Sequence, residues 1–306
     1  MDEFGLIARY FAPLAGEGAE GLTDDAAELG GMLMTKDVLV EGVHFLKTDP
    51  LDLVARKALR VNRSDLIAKG ARPETYALGL VWPQDTQESD IAAFSTGLWA
   101  EQKECGLALL GGDTTRGAQT VVSVTMFGRP LGPRITRAGG EPGQGLYVTG
   151  NIGDGLLGLE AAKGSPSADD EEAMPYRLPS VPSGAEELVA RFASASLDVS
   201  DGLVADARHM AEASKLRLVI DVDRVPFSAA GMEARRAGRL AELLGGGDDY
   251  QTLFLSGAEE KELQQEAHRL GLRLSHIGRA EEGEGVGLLM RGTPWKADIK
   301  GYNHFA

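Results

Sequence analysis

The sequence predicts a two-domain fold of the α/β (α+β) class. Three observations carry that expectation. The chain has 306 residues, which suits two domains of roughly 150 residues better than one small one. Strand-like apolar runs alternate with stretches of helical periodicity. A sharp turn at Pro130-Leu131-Gly132-Pro133 interrupts the pattern near the middle, so the expected units are residues 1–133 and 134–306.

In chain order, residues 4–14 show apolar positions at helical spacing and read as a short amphipathic helix ending at Pro13. A Gly-rich loop leads to Asp24-Asp25 and a strand over 32–39. Asp49-Pro50 opens a strongly patterned helix over 51–70, closed by a C-terminal glycine. A strand over 75–81, a helix over 90–106 and strands over 107–110 and 120–128 complete the first unit. The second opens with a strand over 146–149, a glycine loop and a helix over 156–163. Residues 164–184 mix Ser, Pro and acids without period and read as a surface excursion or linker. Helices around 184–195 and 202–214, and strands near 217–222 and 252–255, continue the alternation.

Composition narrows the function. Hydrophobic residues make up 43% of the chain, enough for true cores, which excludes global disorder. The formal net charge is -15 and no basic stripe breaks it, which argues against a nucleic-acid partner or an anionic membrane surface. An anionic substrate approaching such a chain needs local cations, and bound Mg²⁺ would supply them. A single cysteine, Cys105, excludes an intramolecular disulfide and a Cys-based zinc site. The acidic start Met1-Asp2-Glu3 lacks the positive charge of a secretory leader, and no apolar run approaches the ~20 residues of a membrane span. The expected location is the cytoplasm.

Aspartates are the strongest chemical signal: Asp24-Asp25, Asp37, Asp65, Asp113, Asp198 with Asp201, and Asp248-Asp249. For Asp65 and Asp201 helix capping and metal ligation both remain open. As a set placed near strand ends and helix starts, they suit a hard cation and the phosphates it accompanies. In Gly111-Gly112-Asp113-Thr114-Thr115-Arg116-Gly117, paired glycines would let backbone N–H groups approach a phosphate beside an aspartate that holds its metal. Arg116 and Arg137 are either guanidinium forks for phosphate or surface ion pairs. The loop 150–155 is either an anion nest or a tight turn. Gly16-x-Gly18-x-x-Gly21 has a helix before it and an acidic turn after it, so it is not a dinucleotide fingerprint; no P-loop motif occurs.

Together these motifs resemble one family. Asp24-Asp25-Ala26-Ala27, Asp37-x-x-Val40-x-Gly42-x-His44-Phe45, Val61-Asn62-x-Ser64-Asp65-Leu66, the Gly111–Gly117 segment, Asp198-x-Ser200-Asp201-Gly202-Leu203 and Gly301-Tyr302-x-His304-Phe305 occur in that order. The set is similar to the thiamine-monophosphate kinases, within the superfamily of aminoimidazole ribonucleotide synthetase and selenophosphate synthetase. The resemblance implies two α/β domains, with N-terminal domains pairing into a homodimeric β-barrel. It implies transfer of the γ-phosphoryl of ATP to thiamine monophosphate. Position by position it implies Mg²⁺ ligands at Asp25, Thr35, Asp37, Asp65, Asp113, Asp198 and Asp201. Contacts to ATP fall at Gly112, Asp113, Arg137 and Ser200, and contacts to thiamine monophosphate at His44, Asp248 and Ile299. No residue is expected to act as a covalent nucleophile or acid–base group.

Departures from the family pattern cluster on the substrate side: Thr23 for Gly, Lys36 for Thr, Asp248 for Glu, Ile299 for an aromatic and Asn303 for Asp. The alternatives are a superfamily enzyme with another acceptor, or a nucleotide-binding protein without turnover.

Overall fold

The computed structural model describes residues 3–164, 167, 170–299 and 301. The motif residues Tyr302, His304 and Phe305, and Asn303 among the departures, lie outside them. The N-terminal stretch is helical but irregular: α1 (Glu3–Leu6) passes into a π-turn, Ile7–Phe11, and a 3₁₀ turn, Ala12–Leu14. Each change of helical period rotates the apolar stripe, and no residue of 7–14 is buried. The amphipathic helix expected there therefore has no face packed on this chain's core.

The first sheet has five strands in the order β1-β2-β5-β3-β4: β1 (Ala27–Leu29), β2 (Met32–Val40), β3 (Ala71–Trp82), β4 (Ala108–Arg116) and β5 (Val121–Pro130). Pairings are antiparallel except β3 with β4. In β5, Val122, Val124 and Met126 alternate inward toward α2 (Leu51–Ala68) and α3 (Glu88–Cys105). Among the described residues no helix covers the other face, where Lys36 donates to Ser123 Oγ at 2.7 Å. Every residue of the edge strand β4 is exposed. Within one chain this sheet stays open, and no barrel closes among the described residues.

The second sheet has seven strands in the order β12-β11-β8-β10-β6-β9-β7. They are β6 (Gly145–Thr149), β7 (Ala195–Val199), β8 (Arg217–Asp221), β9 (Gln251–Ser256), β10 (Leu274–Glu281), β11 (Gly285–Met290) and β12 (Thr293–Pro294). Only β8 with β11 is parallel, so both sheets sit on the α+β side of the expected class. Among the described residues seven helices accompany it: α4 (Asp154–Gly164), α5 (Met174–Arg177), α6 (Ala185–Phe192), α7 (Leu203–Ser214), α8 (Ala229–Arg236), α9 (Leu240–Gly245) and α10 (Glu260–Arg269). Leu253 and Leu255 face a large core with α7, while Tyr147 and Phe254 face a second one with α6 and α10. Burial on both faces is why β6 and β9 read as continuous apolar runs.

Three expectations need correction. Residues 111–116 are not a loop after a strand; they are the second half of β4, because β3 offers a parallel partner along their length (Leu78 to Gly112, Gly79 to Asp113, Trp82 to Arg116). A Cβ on Gly112 would lie 1.9 Å from the Leu78 carbonyl oxygen, so strand packing alone requires that glycine. The segment 164–184 is not a surface excursion throughout. The Arg177 side chain is fully buried on Asp49 at 2.8 Å, and Tyr176 is buried beneath Lys57. Such packing rests on amphipathic side chains that apolar periodicity does not register. Finally, the structure adds β7, β10, β11 and α8 to α10 to the expected elements; β7 holds Ser196 and Asp198, which break its apolar run.

Helix α2 joins the two halves. Arg63 donates to Glu101 on α3 and to Ser183 before α6. Lys69 reaches Ser196 O on β7, and Ser64 reaches Tyr250 O next to β9.

Candidate active site

A cavity of about 600 Å³ lies where β2 and α2 meet the end of β7, the start of α7 and the loop 245–250. Its size suits a nucleotide-sized ligand. Among the expected site residues, Asp25, Thr35, Asp37, His44, Asp65, Arg137, Asp198, Ser200, Asp201 and Asp248 line it.

At one end, carboxylate oxygens of Asp25, Asp65 and Asp198 lie within 4.8 Å of one another. Three elements deliver this group, the loop before β1, helix α2 and strand β7, and β2 adds Thr35 and Asp37 beside it. Thr35 donates to Asp65 Oδ2 at 2.5 Å, and Asn62 accepts from Asp37 N at 3.2 Å. Desolvation and the neighbouring Asp25 push Asp37 up to about 6, with Lys36 opposing. Desolvation and Asp25 likewise push Asp198 up to about 7, against a hydrogen bond from Ser64. Desolvation, Asp37, Asp198 and Asp25 raise Asp65 well above the usual range. Asp25 is the exception. Desolvation would raise it, but the charges of Lys69 and Arg137 hold it well below the carboxylate range. Crowded carboxylates short of countercharge are a site that accepts cations.

Asp201 sits beside Asp206 and His209, at the start of α7. Asp206 accepts from Ser200 N and Asp201 N at 3.1 and 3.0 Å and so fixes that turn. Arg137 donates to Asp25 through Nε at 2.8 Å and also through Nη2. Gly112, Asp113 and Arg116 are on exposed β4 and do not line the cavity; Arg116 donates to Pro83 O. Ile299 is buried in the core that includes Val204 and is not a lining residue.

The other end is built differently. His44 Nδ1 accepts from Val40 N at 3.0 Å, which orients the ring. Lys57, 2% exposed, donates to His44 O at 3.0 Å, lies 3.4 Å from Asp248 Oδ2 and stands 3.7 Å above the Tyr176 ring centre. Tyr176 also donates to His44 O, and Tyr250 donates to Asp248 Oδ1 at 2.8 Å. Asp248 and Tyr250 adopt positive φ of 67° and 51°. The fold holds this strained loop through Asp248 N to Ser200 O and Tyr250 N to Val199 O. Gly247 packs so closely that a Cβ would lie 2.4 Å from Ser200 O. Next to it, Asp249 accepts from Gly153 N and Gly155 N at 2.7 and 3.0 Å. The nest in loop 150–155 is therefore filled by the chain's own carboxylate, which desolvation pushes up to about 8 against those two bonds.

Lys57, Lys69 and Tyr176 belong to none of the sequence motifs, and Tyr250 enters only as the last residue of Gly247-Asp248-Asp249-Tyr250. Lys57 had a signal, since it falls on the apolar stripe of α2 between Val54 and Val61; a lysine there is buried against a partner or bound to something.

Both halves match known domains: the AIR synthase related protein N-terminal domain over residues 23–129, and the AIR synthase related protein C-terminal domain over 141–291. The fold and its acidic cavity thus define an AIR synthase-related protein. A thiamine-monophosphate kinase of Caulobacter vibrioides is 39% identical over 320 residues, covering 99% of this chain and 90% of that protein. The Escherichia coli K12 thiamine-monophosphate kinase is 35% identical, covering 99% of this chain and 98% of that protein. A solved structure, AaThiL complexed with AMPPCP and TMP, superimposes with a TM-score of 0.87 at 31% identity, covering 99% and 97% of the two chains. The chain belongs to the thiamine-monophosphate kinase family. No helix among the described residues is long and apolar enough to cross a membrane.

Proposed function

We propose that the protein transfers the γ-phosphoryl group of ATP to thiamine monophosphate, releasing thiamine diphosphate and ADP. The observation that carries this reading is the carboxylate cluster of Asp25, Asp65 and Asp198 opening on one cavity shared by both sheets, in a chain of this family.

The cluster fits Mg²⁺. Its donors are hard oxygens from separate elements, and their raised carboxylate pKa values mark missing positive charge. We assign Asp25, Thr35, Asp37, Asp65, Asp198 and Asp201 to Mg²⁺, and add Asp113 on the family motif alone. Bound there, the metal would neutralise charge on the phosphates as the phosphoryl group moves in line.

The chain's own part is positioning. Ser200, at the N-terminal end of α7, and Arg137 face the nucleotide; Gly112 and Asp113, on exposed β4 outside the cavity, are kept as nucleotide contacts on the family motif alone. His44 and Asp248 face thiamine monophosphate; Ile299, buried in the core of the second sheet, is kept as a substrate contact on the family resemblance alone. The acceptor phosphate is ionised at neutral pH, so no general base is required. The 245–250 loop and the residues around His44 enclose the acceptor and limit water.

We extend the proposal to a cytoplasmic homodimer, with residues 1–133 as the nucleotide, metal and dimerisation unit and 134–306 completing the site. The open face of the first sheet and the exposed Leu109 and Leu110 on β4 support that pairing.

The test is chromatographic detection of thiamine diphosphate from thiamine monophosphate, ATP and Mg²⁺, with an EDTA control. Product that depends on metal is expected. No product from protein that still binds Mg-ATP would overturn the acceptor assignment.

A further inference from the structure

Lys69 has no role in the reading above, yet its buried ammonium meets two aspartates of the acidic centre, Asp24 and Asp25. It stands at the C-terminal end of α2, with its backbone N donating to Asp65 O at 3.1 Å. Its side chain is fully buried. Its ammonium forms ion pairs with Asp24 Oδ1 at 2.8 Å and Asp25 Oδ2 at 2.5 Å, and donates a hydrogen bond to Ser196 O at 2.5 Å. Ser196 precedes Asp198 on β7 by one intervening residue. One cation thus ties together the loop of Asp25, the helix of Asp65 and the strand of Asp198.

The two oxygens of Asp25 face different cations. Oδ1 receives Arg137, whose side chain is 23% exposed and lines the cavity. Oδ2 receives Lys69, which does not line it. An ion entering from the cavity can displace Arg137; it has no path to Lys69.

We propose that Lys69 is a fixed internal cation and positioning residue of the acidic centre. It holds Asp25 by Oδ2, leaves only Oδ1 to exchange between Arg137 and a divalent ion, and thereby limits how strongly the centre draws divalent ions. This rests on the reading that Asp25, Asp65 and Asp198 bind a divalent ion. A unit positive charge a few ångströms from the ion opposes its binding strongly at the effective dielectric of a protein.

The experiment is a Mn²⁺ titration of the full-length, nucleotide-free protein, read by electron paramagnetic resonance. Lys69→Met is expected to bind Mn²⁺ at least about tenfold more tightly, or to take an additional equivalent. Damage to the scaffold alone would weaken binding, so tighter binding separates the charge role from a structural one. An unchanged or weaker isotherm overturns the proposal. Should Lys69→Met fail to fold, Asp24→Asn keeps Lys69 and leaves its charge to Asp25 alone. That variant is expected to bind Mn²⁺ at least about threefold more weakly, and unchanged or tighter binding overturns the proposal. Absence of Mn²⁺ binding by the unaltered protein would overturn the divalent-ion reading first, and this proposal with it.

Discussion

At the Asp37–Asp65–Asp198 end of the cavity, carboxylates crowd together and burial pushes each of them upward. At the His44 end, Lys57, Asp248, Tyr176 and Tyr250 satisfy one another within the chain. Both ends are enclosed and both contain aspartate, but at the first the paired cations Lys69 and Arg137 fall on Asp25 and leave its neighbours short of countercharge. The difference teaches that the first end is completed by something that enters, whereas the second is already assembled and selects what fits. Desolvation makes this asymmetry costly to maintain, since an unpaired buried charge is among the most destabilising groups a fold can hold.

The largest effect should come from removing charge at the incomplete end. Asp37→Asn or Asp65→Asn is expected to lower turnover at least ~100-fold, as loss of a metal-held electrostatic contact is worth several kcal/mol. Steady-state kinetics with saturating Mg²⁺ checks this, and near-normal turnover in both variants breaks the comparison. Removing charge at the assembled end should act on binding instead. Lys57→Met is expected to raise KM for thiamine monophosphate about tenfold while KM for ATP stays within about twofold, because a buried partner of Asp248 and His44 O is lost. A fall in turnover with KM unchanged would place Lys57 with the reacting groups.

The same asymmetry predicts a pH dependence. Asp37 near 6 and Asp198 near 7 are raised above their unfolded values, and Asp65 is raised well above its own. The folded metal-free protein then binds more protons than the unfolded chain. The stability these groups contribute is fully present below about pH 4 and is lost as pH rises through about 6 to 7. Divalent ions take the place of those protons, so their stabilisation should run the opposite way. The rise in melting temperature caused by Mg²⁺ is expected to be small at pH 5 and several degrees larger at pH 8, measured by calorimetry. An increment flat in pH would mean that the carboxylates are not the binding groups.

How much of this was legible depended on what kind of interaction carried it. The strands Met32–Val40 and Val121–Pro130 and the helix Leu51–Ala68 announce themselves by period, because one face of each is buried in an apolar core. Asp25, Asp37, Asp65 and Asp198 could be named from motif and chemistry, and the fold brings them to one cavity. The assembled end was mostly hidden. Tyr176 lies in a stretch without period, and Lys57 reaches Asp248 across 191 residues of sequence, a pairing that only tertiary structure creates. The backbone of the Gly111–Gly117 segment was misread for the opposite reason. Its glycines and aspartate look like a phosphate loop, but β3 recruits them into a strand, where Gly112 answers to the Leu78 carbonyl.

The smallest predicted effect uses one substitution at both ends. Asp248→Glu adds a methylene where the family pattern has Glu. Its carboxylate is 27% exposed, so the longer chain has room to keep Lys57 and the Tyr250 hydroxyl as partners. The change in KM for thiamine monophosphate is therefore expected to stay within about threefold, or roughly 0.6 kcal/mol. Asp65→Glu makes the same addition on α2, where Thr35 and the neighbouring aspartates leave no slack. There it should lower turnover at least about tenfold, since misplacing a first ligand by an ångström disturbs the reacting geometry. Equal effects at the two positions would mean that the loop of Asp248 is as exacting as the acidic cluster. Its positive φ would then have to be read as part of the catalytic arrangement rather than as support for an acceptor wall.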